Sequence, residues 1–283
     1  MTANLKIACV QLTPDGDRVA NIETAVAGIR RAAADGAQLV ALPEYATQLH
    51  SSGRVMRAGA GTELDDPALA AFRAVARECG VWVLVGSLTM RADIDKIFNR
   101  SYLITDDGVV AASYDKLHMF DATLPDGRTI REGALYEAGT RAVLIETPWG
   151  RVGLTICYDL RFPQLYRALA QGGAKVIFVP AAFTRPTGQM HWHALLRARA
   201  IENACYIVAP ATCGTSPESH ATFGHSLVVD PFGAIVVEAG DEPGVFHAEI
   251  DLARVDVARS RIPSLTHDRP FTVDLIGSVA EHV

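Results

Sequence analysis

The sequence lacks both a long hydrophobic run and an excess of basic residues. Its longest nearly apolar stretch, residues 176–183, contains a proline and falls far short of the roughly 20 residues that span a bilayer. Lysine and arginine total 26 against 32 aspartates and glutamates, so the net charge is −6 and binding to nucleic acid is not expected. The first residues have no basic segment before an apolar core, so we expect neither a signal peptide nor contact with a membrane.

Cysteine is scarce, and metal-binding motifs are missing. The five cysteines form an odd, widely spaced set, which argues against a disulfide framework and favours a reducing, cytoplasmic compartment. No CxxC, HExxH or EF-hand motif occurs. His191 and His193 flank Trp192, but alternate residues of a helix point about 200° apart and would not bind one ion together. We therefore expect no metal and no cofactor.

Strand-like and helix-like segments alternate along the chain, which predicts an α/β domain with a mixed sheet. No linker or repeat interrupts them, so a single domain over residues 1–283 is expected. The elements are numerous enough to favour two sheets over one. Strands are predicted at 5–12, 38–42, 81–88, 152–156, 176–179 and 206–211, helices at 18–34, 67–79, from Pro163, and at 190–204, and hairpins at Asp107-Gly108 and Pro231-Phe232-Gly233.

Cys157 occupies an unusual position, at the end of the predicted strand 152–156 and just before a helix that Pro163 opens. Reactive groups of α/β proteins gather beyond the carboxyl ends of strands, and a strand–turn–helix unit exposes its turn residue. A following helix N-terminus is expected to lower the pKa of a thiol. Most free cysteines are instead buried core residues. Position alone leaves the catalytic and the structural interpretation open.

Two charged residues also follow predicted strands. Glu44 stands in "LVALPEY", just past an apolar run, and Lys116 stands in "SYDKLHMFD", where its apolar neighbours predict partial burial. Each residue alone is most simply a solvated surface side chain. Together with Cys157 they supply a carboxylate, an ammonium and a thiol at the ends of three strands, and a nucleophile requires such a base.

These three motifs resemble the Glu–Lys–Cys triad of the nitrilase superfamily of carbon–nitrogen hydrolases. The resemblance runs almost end to end, and "PTGQMHWHALLRARAIENACYIVAPATCG" and "FGHSLVVDPFG" are similar to the Nit branch, which includes omega-amidases and deaminated glutathione amidase. It implies a four-layer α-β-β-α sandwich with two mixed β-sheets. It also implies a homodimer or higher homo-oligomer, with residues from about 260 to 283 forming an arm that crosses to the partner.

The resemblance also implies a chemistry. Glu44 is the expected general base, Cys157 the nucleophile that forms a thioester, and Lys116 with the backbone N–H of Tyr158 the donors to the oxyanion. The family carries a second glutamate between the lysine and the cysteine. Glu132 in "IREGALYEAG" stands at the matching place, and Glu137 is the nearby alternative.

Arg161 is the main candidate for substrate binding. An arginine at a helix start is poorly placed for the helix dipole, and a guanidinium can hold a carboxylate bidentately. A surface arginine is the equal alternative. Tyr45, Phe183 and Thr184 are expected to line the pocket, although packing roles fit them equally well.

The predicted function is therefore a cysteine-dependent amidase. Its expected substrate is a small carboxylate-bearing amide, either deaminated glutathione or the omega-amide of a keto acid, and its products are an acid and ammonia. Hydrolysis of a nitrile or of an N-carbamoyl amino acid or amine uses the same triad and remains open. A binding protein without activity has no need of all three residues.

Overall fold

The computed structural model describes residues 4–92, 95–123, 127, 129–216 and 219–276. The helices are α1 (Arg18–Ala34), α2 (Gly53–Ala58), α3 (Pro67–Cys79), α4 (Pro163–Gln171), α5 (Arg185–Asn203) and α6 (Ala253–Arg261), with short 3-10 helices at Glu132–Ala134, Cys157–Arg161 and Ser264–Thr266. The strands are β1 (Asn4–Gln11), β2 (Leu39–Ala41), β3 (Trp82–Arg91), β4 (Ile97–Ile104), β5 (Val110–Asp115), β6 (Asp121–Thr123), β7 (Thr129–Arg131), β8 (Val143–Thr147), β9 (Gly150–Leu154), β10 (Val176–Phe178), β11 (Tyr206–Ala209), β12 (Cys213–Gly214), β13 (Thr222–Phe223), β14 (Leu227–Val229), β15 (Ile235–Glu238) and β16 (Gly244–Asp251).

Two six-stranded mixed sheets dominate the fold. The first has the order β16-β1-β2-β3-β4-β5 and the second the order β15-β14-β11-β10-β9-β8. In the first sheet β1, β2 and β3 are parallel, and β4 and β5 continue it in antiparallel steps. In the second sheet β9, β10 and β11 are parallel. Because β5 follows two antiparallel steps, it runs in the direction of β2, and the carboxyl ends of β2 and β5 lie at the same edge.

The sheets pack face to face between two helical layers. One core contains residues of both sheets together with apolar side chains of α4 and α5, among them Leu169 and Trp192. A second core lies between the first sheet and helices α1 and α3, and Ile29 and Phe72 are fully buried in it. The layer order is therefore helix, sheet, sheet, helix, and the predicted α/β four-layer sandwich with two mixed sheets is confirmed.

Capping residues set the ends of helices α1 and α3. Asp17 and Asp66 each accept backbone N–H bonds from the first turn of their helix, and Pro67 occupies the first helical position of α3. Gly80 ends α3 in the left-handed conformation that glycine adopts without strain. Both helices therefore match the spans that the sequence predicts.

Other boundaries differ from the prediction, and eight strands and helices were not predicted. Helix α5 begins at Arg185 rather than 190, because Thr184 and Pro186 form its start. Strand β11 ends at Ala209 rather than 211. The unpredicted elements are α2, α6, β6, β7, β8, β12, β13 and β16. β16 is an edge strand whose pairing partner, β1, lies more than 200 residues away, and α6 buries only Val255 and Ala258.

The C-terminal segment beyond α6 has little regular structure. After the 3-10 turn at Ser264–Thr266, residues 267–276 form neither helix nor strand, and their apolar side chains are at least four-fifths exposed. Residues 277–283 of the predicted arm lie outside the described residues. Among the described helices, none combines the length and apolar composition that crossing a bilayer demands.

Candidate active site

Cys157 lies in a sharp turn that follows β9 and opens the 3-10 helix Cys157–Arg161. Its φ is +49°, a left-handed conformation that costs a non-glycine residue about 1–2 kcal/mol. Two hydrogen bonds hold this turn. The N–H of Cys157 donates to the carbonyl of Pro180 at 2.9 Å, and the N–H of Ile156 donates to the Asp159 carboxylate at 2.9 Å. The sequence therefore presents Cys157 at a fixed elbow, as predicted.

Asp159 ties this elbow to the loop that carries Lys116. Its fully buried carboxylate accepts a hydrogen bond from the Tyr114 hydroxyl at 2.7 Å and from the His118 N–H at 3.1 Å. The His118 ring adds a 2.6 Å contact through Nδ1. Asp159 is not among the site residues that the sequence predicts. Its position fixes Cys157 and Lys116 relative to each other.

Glu44 follows β2 and is 1% exposed. Its Oε1 lies 3.0 Å from Lys116 Nζ and accepts a hydrogen bond from Asn99 Nδ2 at 2.8 Å. Its Oε2 accepts the backbone N–H of Ala182 at 2.7 Å. Because Ala182 follows β10 of the second sheet, the Glu44 carboxylate bridges the two sheets at their common edge.

Lys116 lies between two buried carboxylates. Its Nζ is 2.8 Å from both carboxylate oxygens of Glu132, which also accept bonds from the Phe120 N–H at 2.6 Å and the Tyr45 hydroxyl at 2.9 Å. Burial alone would lower the pKa of Lys116, but Glu132 and Glu44 outweigh it and hold that pKa well above its ordinary value. Burial alone would raise the pKa of Glu132, but Lys116 lowers it below its ordinary value. Lys116 is therefore an ammonium at neutral pH.

The structure distinguishes between the two candidates for the second glutamate. Glu132, the preferred candidate, is 8% exposed and contacts Lys116. Glu137 is exposed, and its side chain lines a different pocket beside Arg100.

The Cys157 thiol does not have the lowered pKa that the sequence suggested. Its side chain is buried and faces the Glu44 carboxylate, and both features raise the pKa of the thiol well above its ordinary value. Lys116 and the N–H of Ala182 act in the opposite direction but are outweighed. The N-terminus of α4 does not lower this pKa, because α4 begins six residues later, at Pro163. The resting Cys157 side chain is therefore a thiol, and the Glu44 side chain lies beside it.

A cavity of about 730 Å³ brings these groups together. Its floor contains Cys157, Glu44, Lys116 and Glu132, and Tyr45 and Thr184 also line it. Its outer wall carries the exposed side chains of Arg54, Arg57 and Arg131. The cavity therefore combines a buried reactive floor with a cationic mouth.

Arg161 and Phe183 line a narrow extension of this cavity beside Cys157. The Arg161 guanidinium lies over the rings of Tyr158 and Phe183, 5.9 and 5.5 Å from their centroids, and contacts His191 Nδ1 at 3.3 Å. Within the described part of the chain, no carboxylate forms an ion pair with Arg161. Its charge is therefore available to a ligand.

The other predicted contacts have additional structural partners. The Tyr45 hydroxyl bonds to Glu132, Phe183 packs against Trp192 at 4.9 Å, and Thr184 precedes α5 as its N-terminal flanking residue. The N–H of Tyr158 belongs to the first turn of a 3-10 helix, where an N–H has no intrahelical acceptor. It is thus available beside Cys157.

Comparison with known proteins gives consistent results. A family model described as carbon-nitrogen hydrolase matches residues 6–260. Deaminated glutathione amidase of Yersinia enterocolitica is 40% identical over 285 residues, covering 98% of this chain and 97% of that protein. Deaminated glutathione amidase of a Synechocystis strain is 40% identical over 265 residues, covering 92% and 96%. The crystal structure of Saccharomyces cerevisiae Nit3, a member of branch 10 of the nitrilase superfamily, superposes with a TM-score of 0.86 at 30% identity, covering 96% and 98%.

Proposed function

This chain belongs to the carbon–nitrogen hydrolase family, in the Nit branch of the nitrilase superfamily, and on that premise we propose its reaction. The proposed enzyme hydrolyses the terminal amide of a small, carboxylate-bearing substrate to an acid and ammonia. The convergence of Cys157, Glu44 and Lys116 on the floor of one cavity is the observation that carries the proposal.

In the first step Glu44 removes the proton of the Cys157 thiol as the sulfur attacks the amide carbon. The raised pKa of the thiol means that this proton must leave during the attack. The cluster of Glu44, Lys116 and Glu132 has one carboxylate more than it has ammonium groups, so protonation of Glu44 neutralises the excess charge. General base catalysis of this kind contributes about 10²- to 10⁴-fold in rate.

The carbonyl oxygen becomes an oxyanion when the carbon–sulfur bond forms. Lys116 Nζ and the N–H of Tyr158 are the proposed donors, since each lies beside Cys157. Losing one such donor typically costs about 3–4 kcal/mol. Glu132 holds Lys116 charged and in place through its two 2.8 Å contacts.

Collapse of the tetrahedral intermediate breaks the carbon–nitrogen bond. Glu44 returns its proton to the departing nitrogen, and ammonia leaves a thioester on Cys157. A water molecule, deprotonated by Glu44, then attacks the thioester carbon. The acid is released, and the sulfur recovers its proton from Glu44.

Two features support a substrate that carries a carboxylate. Arg161 presents a guanidinium without a carboxylate partner within the described residues, in the extension beside Cys157. Arg54 and Arg131 add positive charge at the mouth. The relatives named deaminated glutathione amidase point to the same class of substrate.

The test is ammonia release from four compounds. These are deaminated glutathione, α-ketoglutaramate, an aliphatic nitrile and an N-carbamoyl amino acid. We expect release from one or both keto-amides and a thioester on Cys157 detectable by mass spectrometry. Release only from the nitrile or the carbamoyl compound would be consistent with the catalytic triad but would rule out an amide as the substrate.

Arg161→Ala is expected to raise KM for α-ketoglutaramate by about 10- to 100-fold, since a hydrogen bond to a charged group contributes about 1.5–3 kcal/mol. KM for a neutral aliphatic amide should change by less than about threefold, which steady-state kinetics measures directly. Arg161→Lys keeps the charge but loses the planar fork, so an intermediate KM is expected. Equal effects on the charged and the neutral amide would rule out a carboxylate contact.

We also propose that the protein acts in the cytoplasm as a homodimer or higher homo-oligomer of one domain, residues 1–283. The exposed apolar side chains of the C-terminal segment support the role of residues 260–283 as an arm to a partner copy. Phe271, Val273 and Leu275 are each at least 85% exposed. Sedimentation velocity of the chain with and without residues 268–283 tests this, since a purely monomeric full-length chain would reject it.

A further inference from the structure

A second cluster of chemically active side chains lies outside the cavity described above. It consists of His193 of α5, His225 just after β13, and Glu238 at the end of β15. One ligand atom of each residue lies within 4.8 Å of the other two. We propose that these three residues bind a divalent transition-metal ion such as Zn²⁺. Two imidazoles and a carboxylate are a ligand set that zinc accepts.

The donor atoms already lie close to the required geometry. His193 Nε2 and His225 Nδ1 are 2.8 and 3.0 Å from the same oxygen of Glu238. Zinc–nitrogen and zinc–oxygen bonds of about 2.0–2.2 Å place tetrahedral donors roughly 3.3 Å apart. Binding therefore requires each histidine nitrogen to move only a few tenths of an ångström farther from that oxygen, and the two nitrogens themselves lie within 4.8 Å of each other.

Both ring nitrogens of His225 face carboxylates. Its Nδ1 faces Glu238, and its Nε2 faces the Asp241 carboxylate at 2.9 Å. With a metal on Nδ1, Asp241 accepts the Nε2 proton in the carboxylate–histidine–metal arrangement that orients such ligands.

His225 is held rigidly enough to act as a ligand. Its φ is +56°, and its carbonyl accepts a hydrogen bond from Trp192 Nε1 at 2.8 Å. Its ring stacks on Phe223 with centroids 4.3 Å apart.

The site is separate from the hydrolytic cavity and open to solvent. His191 faces Arg161, whereas His193, two residues later on α5, faces Glu238. His191 and His193 therefore point to different partners and do not share an ion, as the sequence predicts. The partners of His193 come from distant segments, which the sequence does not indicate. The side chains of His193, His225 and Glu238 are 34%, 23% and 32% exposed, so water can complete the coordination. A bound ion would fasten α5 to the β14–β15 hairpin.

The test is titration of the full-length protein with ZnCl₂ by isothermal calorimetry, after dialysis against a chelator. It is done in the Cys157→Ala background, so that the thiol cannot bind the metal. We expect one ion per chain, with binding weakened at least tenfold by His193→Asn and by Glu238→Gln. Asp241→Asn should weaken it by about 10- to 100-fold, the usual effect of losing a residue that orients a ligand.

The controls separate a specific site from adventitious binding. His247→Asn removes a half-exposed histidine that faces a carboxylate elsewhere, Asp35, and should leave zinc affinity unchanged. His225→Asn is a second test, because asparagine tolerates the left-handed conformation of this position. Absence of stoichiometric binding to the parent protein, or equal affinity in His193→Asn, Glu238→Gln and the parent, would overturn the proposal.

Discussion

Cys157→Ala is expected to lower the rate of ammonia release by at least about 10⁴-fold, the order of effect that follows removal of a catalytic nucleophile. Without the sulfur no thioester forms, so the proton transfer by Glu44 and the hydrogen bond from Lys116 have no covalent intermediate on which to act. The loss should appear in kcat, measured by an ammonia assay on the keto-amide that the parent enzyme hydrolyses.

The same substitution should leave the fold intact. It removes one buried sulfur atom, and the hydrogen bonds that hold the turn come from backbone groups and from Asp159. Circular dichroism and the thermal midpoint should therefore remain close to those of the parent. Cys79→Ser is the matched control, because Cys79 is only partly buried and lies at the end of α3. An active, folded Cys157→Ala protein would reject the thioester mechanism.

Glu132→Gln is expected to lower kcat by about 10²- to 10³-fold, comparable with the loss of an oxyanion donor. The amide keeps the shape of the side chain but gives up the charge that steadies the Lys116 ammonium at 2.8 Å. Lys116 then retains only Glu44 as its partner, and that contact draws the proposed base away from the thiol. Steady-state kinetics at saturating substrate measures the effect.

Glu137→Gln is the matched control, since Glu137 is exposed and five residues further along the same segment. The kcat of Glu137→Gln should equal that of the parent. A larger loss in Glu137→Gln than in Glu132→Gln would make Glu137, rather than Glu132, the second glutamate of the site. Because the pKa of Glu132 is lowered, its carboxylate stabilises the fold at neutral pH, and this contribution is lost as the pH falls below about 4.5. The difference in thermal midpoint between Glu132→Gln and the parent should therefore shrink in acid.

Much of the site was predictable because three reactive groups each follow a strand. Strand ends of one direction gather at one edge of a sheet, so Glu44 after β2 and Lys116 after β5 meet without any special contact. Cys157 after β9 joins them because the two sheets share a core. The strands and the residues that follow them are set by periodicity, which the sequence carries locally.

The rest of the site depends on contacts between distant segments. Asn99 reaches Glu44 from β4, a non-adjacent strand of the same sheet, and the N–H of Ala182 holds Glu44 only because the second sheet packs against the first. The direction of the thiol pKa follows from how deeply Cys157 is buried beside Glu44, which no local pattern reveals. His193 and Glu238 meet because α5 packs beside the β14–β15 hairpin, so their neighbours in sequence carry no signal of the cluster.

The protonated state of the resting Cys157 has a consequence for the lifetime of the enzyme. Peroxides and other electrophiles react with thiolates far faster than with thiols. In the proposed mechanism Cys157 gives up its proton to Glu44 only as the sulfur attacks the substrate, so between turnovers it reacts slowly with such electrophiles. The protein thereby separates reactivity toward its own substrate from susceptibility to oxidative damage, although both depend on the same sulfur atom.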